Sequence, residues 1–284
     1  MIRRSAFTLL ELVFVIVIIG IIGKFGVEFL AQAYKNYIFT TVNNSLQAES
    51  GAAVEFISTR LQHRIKDSII ARVDDANFTA LTSASGSAYT ILEWVGTDVD
   101  DFRGNSLPNW SGIVDLDLSS SSFIYSPQTN TTAINALIAT LSYGDSNISK
   151  AALYFVGSNS DIQTGYGWNG QINDQNQTMH PINLDANTSK FVSRAGLGNF
   201  SEIYEYYKLA WTAYAVVHAN NNLTLYYDYQ PWNGDTYHNG KSAVIMENVD
   251  TFQFMAVGSL VKIQVCVNSN LVEDYSICKE KTIY

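Results

Sequence analysis

From Phe7 to Gly23 the chain runs through 17 residues with a single charge, Glu11, and Lys24 ends the run. That length sits near the lower limit for a membrane-crossing helix, about 17–25 residues. Hydrocarbon tolerates only backbone that satisfies its own hydrogen bonds, so the segment is expected to be helical. Glu11 is the anomaly in it. A carboxylate near a bilayer centre costs roughly 2.5–3.5 kcal/mol on insertion scales, so an acid placed there calls for a partner.

The start of the chain is short and basic, with Arg3 and Arg4 before Ala6. A secretory signal peptide begins in the same way. Here no Ala-x-Ala-like site follows Lys24; Lys24-Phe-Gly-Val-Glu28 leads into more helical pattern. The apolar run is therefore expected to remain in the mature protein. The arginines favour a cytoplasmic N-terminus, which puts the bulk of the chain across the membrane.

Arg3-Arg4-Ser5-Ala6-Phe7-Thr8-Leu9-Leu10-Glu11-Leu12 and the apolar residues after it resemble the N-terminus of type IV prepilins and type II secretion pseudopilins. The resemblance covers about the first 30 residues. It implies cleavage between Ala6 and Phe7 by a membrane prepilin peptidase, N-methylation of Phe7, and the role of the family's acid for Glu11. The family usually has Gly before the cut; Ala6 departs from that but is still small. Cleavage would expose an ammonium on Phe7, four residues before Glu11 and on the same helix face. Each group can then meet its opposite on a neighbouring subunit, an ion pair that sets register more than stability. The alternative is a plain anchor whose Glu11 reaches the headgroups. The partners implied are the prepilin peptidase/methyltransferase, other pilins or pseudopilins, an inner-membrane assembly platform and membrane lipid. The location implied is the bacterial inner membrane, single-pass, with the head periplasmic, and the pilus or pseudopilus once assembled.

Beyond the helix the charge turns acidic: from Val73 onward there are 9 Lys/Arg against 21 Asp/Glu, a net −12. Phosphate binding needs clustered Lys and Arg, so nucleic acid is not expected as a partner. The two cysteines, Cys266 and Cys278, lie near the C-terminus. In a periplasmic domain such a pair reads as a disulfide, contributing on the order of 3 kcal/mol. A C-terminal disulfide loop also recurs in type IV pilins. Two buried free thiols are the alternative.

No proline occurs before Pro108. Ala53, Ile57, Leu61, Ile65 and Ile69 recur every four residues as an apolar stripe. The pattern predicts one helix from Phe7 to about Arg72, roughly 99 Å long. Gly20, Gly23 and Gly26 either let it unwind locally or let neighbours pack closely. After Asp74 the chain reads as β-rich. Strands are expected over 88–95, 151–156, 241–246, 249–256 and 260–267, and a short helix over 132–141. A hairpin is expected over 208–218 and 223–229, with Leu209, Trp211, Ala213, Ala215 and Val217 on one face and Leu223, Leu225, Tyr227 and Tyr229 on its partner's. Residues 158–176 read as loop. The expected organisation is a leader over 1–6, a long helix over 7–72 with 7–23 in the membrane, and a head over 73–284. The expected class is α+β and pilin-like, a long helix packed on an antiparallel β-rich head.

No catalytic constellation stands out. His63, His180, His218 and His238 are scattered, and there is no phosphate loop, His-Glu-x-x-His or Gly-x-Ser-x-Gly. Neither enzymatic activity nor a cofactor is expected. Asp98, Asp100 and Asp101, with Glu93 nearby, form the sharpest acidic cluster. Hard cations want several oxygens, but the spacing matches no EF-hand and Arg103 adjoins. A solvated acidic loop is the expectation and a cation site the alternative. Asp235 with His238 is a second, thinner pair. The aromatic-rich hairpin reads as sheet core, with a sugar- or protein-binding platform as its alternative.

Nine Asn-x-Ser/Thr sites occur, and four have Asp two residues earlier, at Asn77, Asn147, Asn176 and Asn187. The extended form resembles the sequon of bacterial periplasmic N-glycosylation. Asp, Asn, Ser and Thr also supply turn chemistry with the same letters. The head, at more than 200 residues, is large for a pilin. Together these readings point to a minor pilin-like subunit of a type II secretion pseudopilus or type IV pilus. The competing class is a membrane-anchored periplasmic binding domain that never polymerises.

Overall fold

The computed structural model describes residues 8–102, 107–272 and 275–284. Helix α1 spans Leu9–Leu61, 53 residues, or about 80 Å. Between Leu9 and Thr41 every residue but the half-buried Ile38 is exposed, and Val42 is the first buried one. From there Val42, Leu46, Ser50, Ala53, Val54, Ile57, Ser58 and Leu61 face the head. Their spacing of three and four is that of one helix face.

The helix stops eleven residues short of the predicted Arg72. Arg64 closes it, its guanidinium donating to Leu61 O at 2.7 Å and to Ser259 O and Tyr284 O at 3.1 Å. Ile65 and Ile69 are buried as the stripe implied, but not on a helix. Ile65 N–H bonds to Val95 O at 2.9 Å, and Ile70–Arg72 forms strand β1. Ile69, Ile70 and Ala71 are buried in succession. A one-faced helix cannot bury three neighbours in a row; a strand covered on both faces can.

Strands β1, β2 (Phe78–Ala80) and β3 (Ile91–Gly96) come first. Then follow β4 (Phe123–Tyr125), helix α2 (Thr131–Leu141), β5 (Ala152–Phe155), β6 (Met179–Leu184), β7 (Lys190–Ser193) and β8 (Tyr207–Ala210). The chain ends with β9 (Thr212–Ala219), β10 (Asn222–Tyr229), β11 (Lys241–Met246), β12 (Val249–Val257), β13 (Leu260–Asn268) and β14 (Ser276–Ile283). The described residues form an α+β fold with three sheets, ordered β11-β10-β9-β3-β1-β2, β12-β13-β14 and β4-β7-β6-β5-β8. The strand pairs within them are antiparallel.

The six-stranded sheet is central and covered on both faces. Leu92, Trp94, Val216, Leu223 and Leu225 pack toward α1 and the three-stranded sheet. Ile91, Val95, Ala213 and Ala215 pack the opposite way, against Tyr154, Tyr166, Trp168 and Trp232. Strands β3 and β9 pair directly from Ile91↔Val217 to Gly96↔Thr212. Residues 97–211 are therefore an insertion between adjacent strands, with its own core around Ile124, Ile134, Leu153, Phe155 and Phe191. Lys241 pins it to the central sheet, pairing with Asp145 and Asp228 at 2.9 Å each. Trp232 Nε1 adds a bond to Lys150 O at 2.8 Å.

The predicted hairpin is corrected in two places. Residues 208–218 are two strands in different sheets, broken at Trp211: Leu209 and Trp211 belong to the insertion's core, Ala213 and Ala215 to the central sheet. On β10 the register shifts between Tyr226 and Tyr229, with Asp228 at φ +60°. The bulge carries Tyr229 to the face opposite Leu223 and Leu225, since one extra residue reverses which side a side chain takes. Segment 158–176 holds no strand or helix, as expected, yet Tyr166, Trp168 and Ile172 within it are buried.

Candidate functional site

Helix α1 begins with a reciprocal cap. Thr8 has extended backbone (φ −79°, ψ 150°), and its hydroxyl accepts the Glu11 N–H at 3.3 Å. The Glu11 carboxylate accepts the Thr8 N–H and hydroxyl, each at 3.0 Å. Thr8-Leu-Leu-Glu11 is the Ser/Thr-x-x-Glu pattern of a capping box, a signal present in the sequence but not used above. Two otherwise orphaned donors at the helix start are satisfied, and the carboxylate sits at the positive end of the helix dipole. Ala6 and Phe7, the expected cleavage and methylation site, lie outside the described residues.

Behind the cap, α1 is long and apolar enough to cross a membrane, and none of its apolar window is buried. Exposed apolar residues continue past Lys24 through Phe25, Val27, Phe29, Leu30, Tyr34, Tyr37 and Phe39. The helix runs unbroken through Gly20, Gly23 and Gly26, and a Cβ at any of them would meet open space. Glycine there leaves the backbone bare for close approach by another helix.

Cys266 and Cys278 are joined in a disulfide and face one another in the β13–β14 register. No described cysteine is free.

The acidic cluster is not the solvated loop expected. Asp98 and Asp101 are buried, at 4% and 7% exposure, and Asp100 is half-buried. Asp98 accepts the Trp110 indole N–H at 3.0 Å and the Asp100 N–H at 3.2 Å. Asp101 accepts from the Asn109 amide. Burial, followed by the hydrogen bond and charge of Asp101, pushes the Asp98 carboxyl up to about 7. Loss of hydration disfavours the charged form of Asp98. Among the described residues no group of three or more His, Cys, Asp or Glu is placed to hold a metal ion. Glu93 faces away into a buried pair with Arg72 (Nε to Oε2, 2.6 Å), and Arg103 lies outside the described residues. The structure also separates Asp235 from His238: His238 Nε2 meets Asp75 at 2.9 Å, and Asp235 accepts the Gln230 N–H at 3.1 Å.

Asn77, Asn147, Asn176 and Asn187 are all exposed. Asp174 and Asp185 accept the backbone N–H of the Asn two residues on, at 2.8 Å, which is an Asx turn. At the other two sites the Asp is engaged elsewhere, Asp75 by Tyr237 and His238 and Asp145 by Lys241. The aromatic hairpin is largely core: Tyr207, Trp211, Tyr229 and Trp232 are buried, Tyr204, Tyr214, Tyr226 and Tyr227 half-buried, and Tyr206 exposed.

Comparison of the chain with protein-family models, with characterised proteins and with solved structures finds no match.

Proposed function

We propose that this chain is a minor pilin-like subunit of a bacterial type II secretion pseudopilus or type IV pilus. The observation that supports it most is the bare first half of α1. Twenty-nine residues, Leu9 to Tyr37, stand clear of the head, a length of about 44 Å. A bilayer core of about 30 Å covers only part of that. The apolar residues from Phe25 to Tyr37 then need other helices around them, which a filament core of parallel subunits supplies. On this reading the chain is cut after Ala6, Phe7 is methylated, and Glu11 takes the Phe7 ammonium of a neighbour. The insertion over 97–211 makes the head bulky, which suits a minor position better than a densely packed shaft.

The test is the intact mass and N-terminal sequence of protein from the native host. N-methyl-Phe7 as the mature N-terminus supports assembly; an uncut Met1 supports an anchored domain that never polymerises. The same spectrum reads the four Asp-x-Asn sites, because a mass equal to the processed chain rules glycans out.

A further inference from the structure

Between β6 and β7, Asp185-Ala186-Asn187-Thr188-Ser189 makes two successive Asx turns. Asp185 Oδ1 accepts the Asn187 N–H at 2.8 Å, and Asn187 Oδ1 accepts the Ser189 N–H at 3.0 Å. The second turn uses only the oxygen of Asn187, so an Asp would serve it equally. The amide nitrogen is left over: Asn187 is exposed, and its Nδ2 has no hydrogen-bond partner among the described residues. Turn chemistry explains the oxygen at this position and not the nitrogen.

A transferase acting on a folded acceptor must reach that nitrogen and draw the residues around it away from the surface. Local opening is easiest where little is buried and few bonds cross to the rest of the chain. The four Asp-x-Asn-x-Ser/Thr segments differ in both respects. At Asn176 the neighbours Gln175 and Thr178 are buried. At Asn147 Ile148 is buried, and Asp145 is held by Lys241. At Asn77 no residue of the segment is buried, but Nδ2 donates to both Asp74 oxygens at 2.9 Å, and Asp75 is held by Tyr237 and His238. From Asp185 to Ser189 no residue is buried, and the hydrogen bonds of 185–187 stay within the loop. The tethers come after the Asn: Ser189 Oγ donates to Thr129 O at 3.2 Å, and the Thr188 and Ser189 carbonyls accept from the N–H groups of Thr131 and Ser126.

Asn187 is thus the one of the four whose nitrogen is unengaged, whose acid is held by nothing outside the segment and whose neighbours cover no core. We propose that Asn187 is a site of N-linked glycosylation, with Asp185 the acid and Ser189 the hydroxyl that the transferase reads. The donor is an oligosaccharide carried on a lipid pyrophosphate. A bond forms between Nδ2 and C1 of the first sugar as the bond from C1 to the pyrophosphate oxygen breaks. The bonding pair leaves with the pyrophosphate, and one amide proton passes to a base of the transferase. The inference rests on the head lying across the membrane, as the proposed function has it. Asn187 belongs to the insertion, whose core is separate from the one α1 joins, so a glycan there leaves the buried face of α1 undisturbed.

The test takes the full chain from membranes of the native host and reads its peptides by mass spectrometry with electron-transfer fragmentation, which places a glycan on a single residue. A glycan on Asn187 is expected, at higher occupancy than on Asn77, Asn147 or Asn176. Asn187→Asp keeps the turn oxygen and removes the nitrogen, so the glycan is expected to vanish while thermal melting is retained. Asp185→Asn keeps the first turn and removes the charge, and occupancy is expected to fall below half. Asn187 bare on a head that added protease reaches in spheroplasts overturns the inference and leaves the proposed function standing. A head that protease cannot reach, with Asn187 bare, overturns both. A glycan found on Thr188 or Ser189 instead, equal or higher occupancy at another of the four sites, or unchanged occupancy in Asp185→Asn also overturns the inference.

Discussion

Glu11 and Thr8 hold one another across the first turn of α1, through two bonds to the carboxylate at 3.0 Å and one to the Thr8 hydroxyl at 3.3 Å. The acid in the apolar run thus has an internal partner before any neighbour arrives. An intermolecular pair with a Phe7 ammonium would add to this cap or exchange with it.

The two roles separate by substitution. Thr8→Val removes the cap, at a cost of about 1 kcal/mol, and is expected to speed amide exchange at Leu10–Leu12 in micelles. Glu11→Gln keeps an oxygen for the Thr8 N–H, so the helix start should persist. It lacks the charge, so incorporation into filaments should fall while membrane insertion does not. Normal incorporation of Glu11→Gln and Glu11→Val together would sink the ion-pair role.

Glu93 sits at 1% exposure with Arg72 and Tyr229 as its partners. Removing one member of a buried pair leaves the other charge uncompensated, typically about 3–5 kcal/mol. Glu93→Ala should therefore lower the denaturant midpoint far more than Tyr229→Phe, which loses one hydrogen bond worth about 1–3 kcal/mol. Equal losses would show that Arg72 finds other compensation.

Asp98 predicts a pH dependence with an unusual sign. Its folded pKa of about 7 lies above the ordinary 3.8. The folded state binds this proton more tightly than the unfolded chain does. Its contribution is thus fully present below about pH 4 and is lost as pH rises through about 7. Asp98→Asn should flatten the loss of unfolding free energy over that window, a loss on the order of a few kcal/mol. Identical profiles for the two proteins would refute a raised Asp98.

The Cys266–Cys278 bond joins strands already paired from Val261↔Ile283 to Asn268↔Ser276. Its loss in the double Ser variant should cost about 2–4 kcal/mol, seen as a lower urea midpoint of a head that still folds. A head unfolded at zero denaturant would mean that the strand pairing depends on the bond.

What could be read from the sequence was what depends on neighbours a few residues apart. The apolar run, the four-residue stripe over 53–61, the short helix over 132–141 and the late strands are local patterns, and the fold keeps them. Even the paired cysteines were legible, because only one pairing exists. Ile65 and Ile69 continued the stripe in letters, yet their backbone pairs with β3 or runs extended, because a two-faced core was available there. Nothing near Asp228 announces that Tyr229 crosses to the other face to reach Glu93, 136 positions away. Asp98 and Asp101 read as a solvated run until the insertion folded over them and Trp110 took one of their oxygens. Sequence spacing determined which segments became helix and strand. Burial and partnership across distant segments were decided only by the tertiary structure, because desolvation and hydrogen bonding act on whatever the fold brings within reach, whatever the separation along the chain.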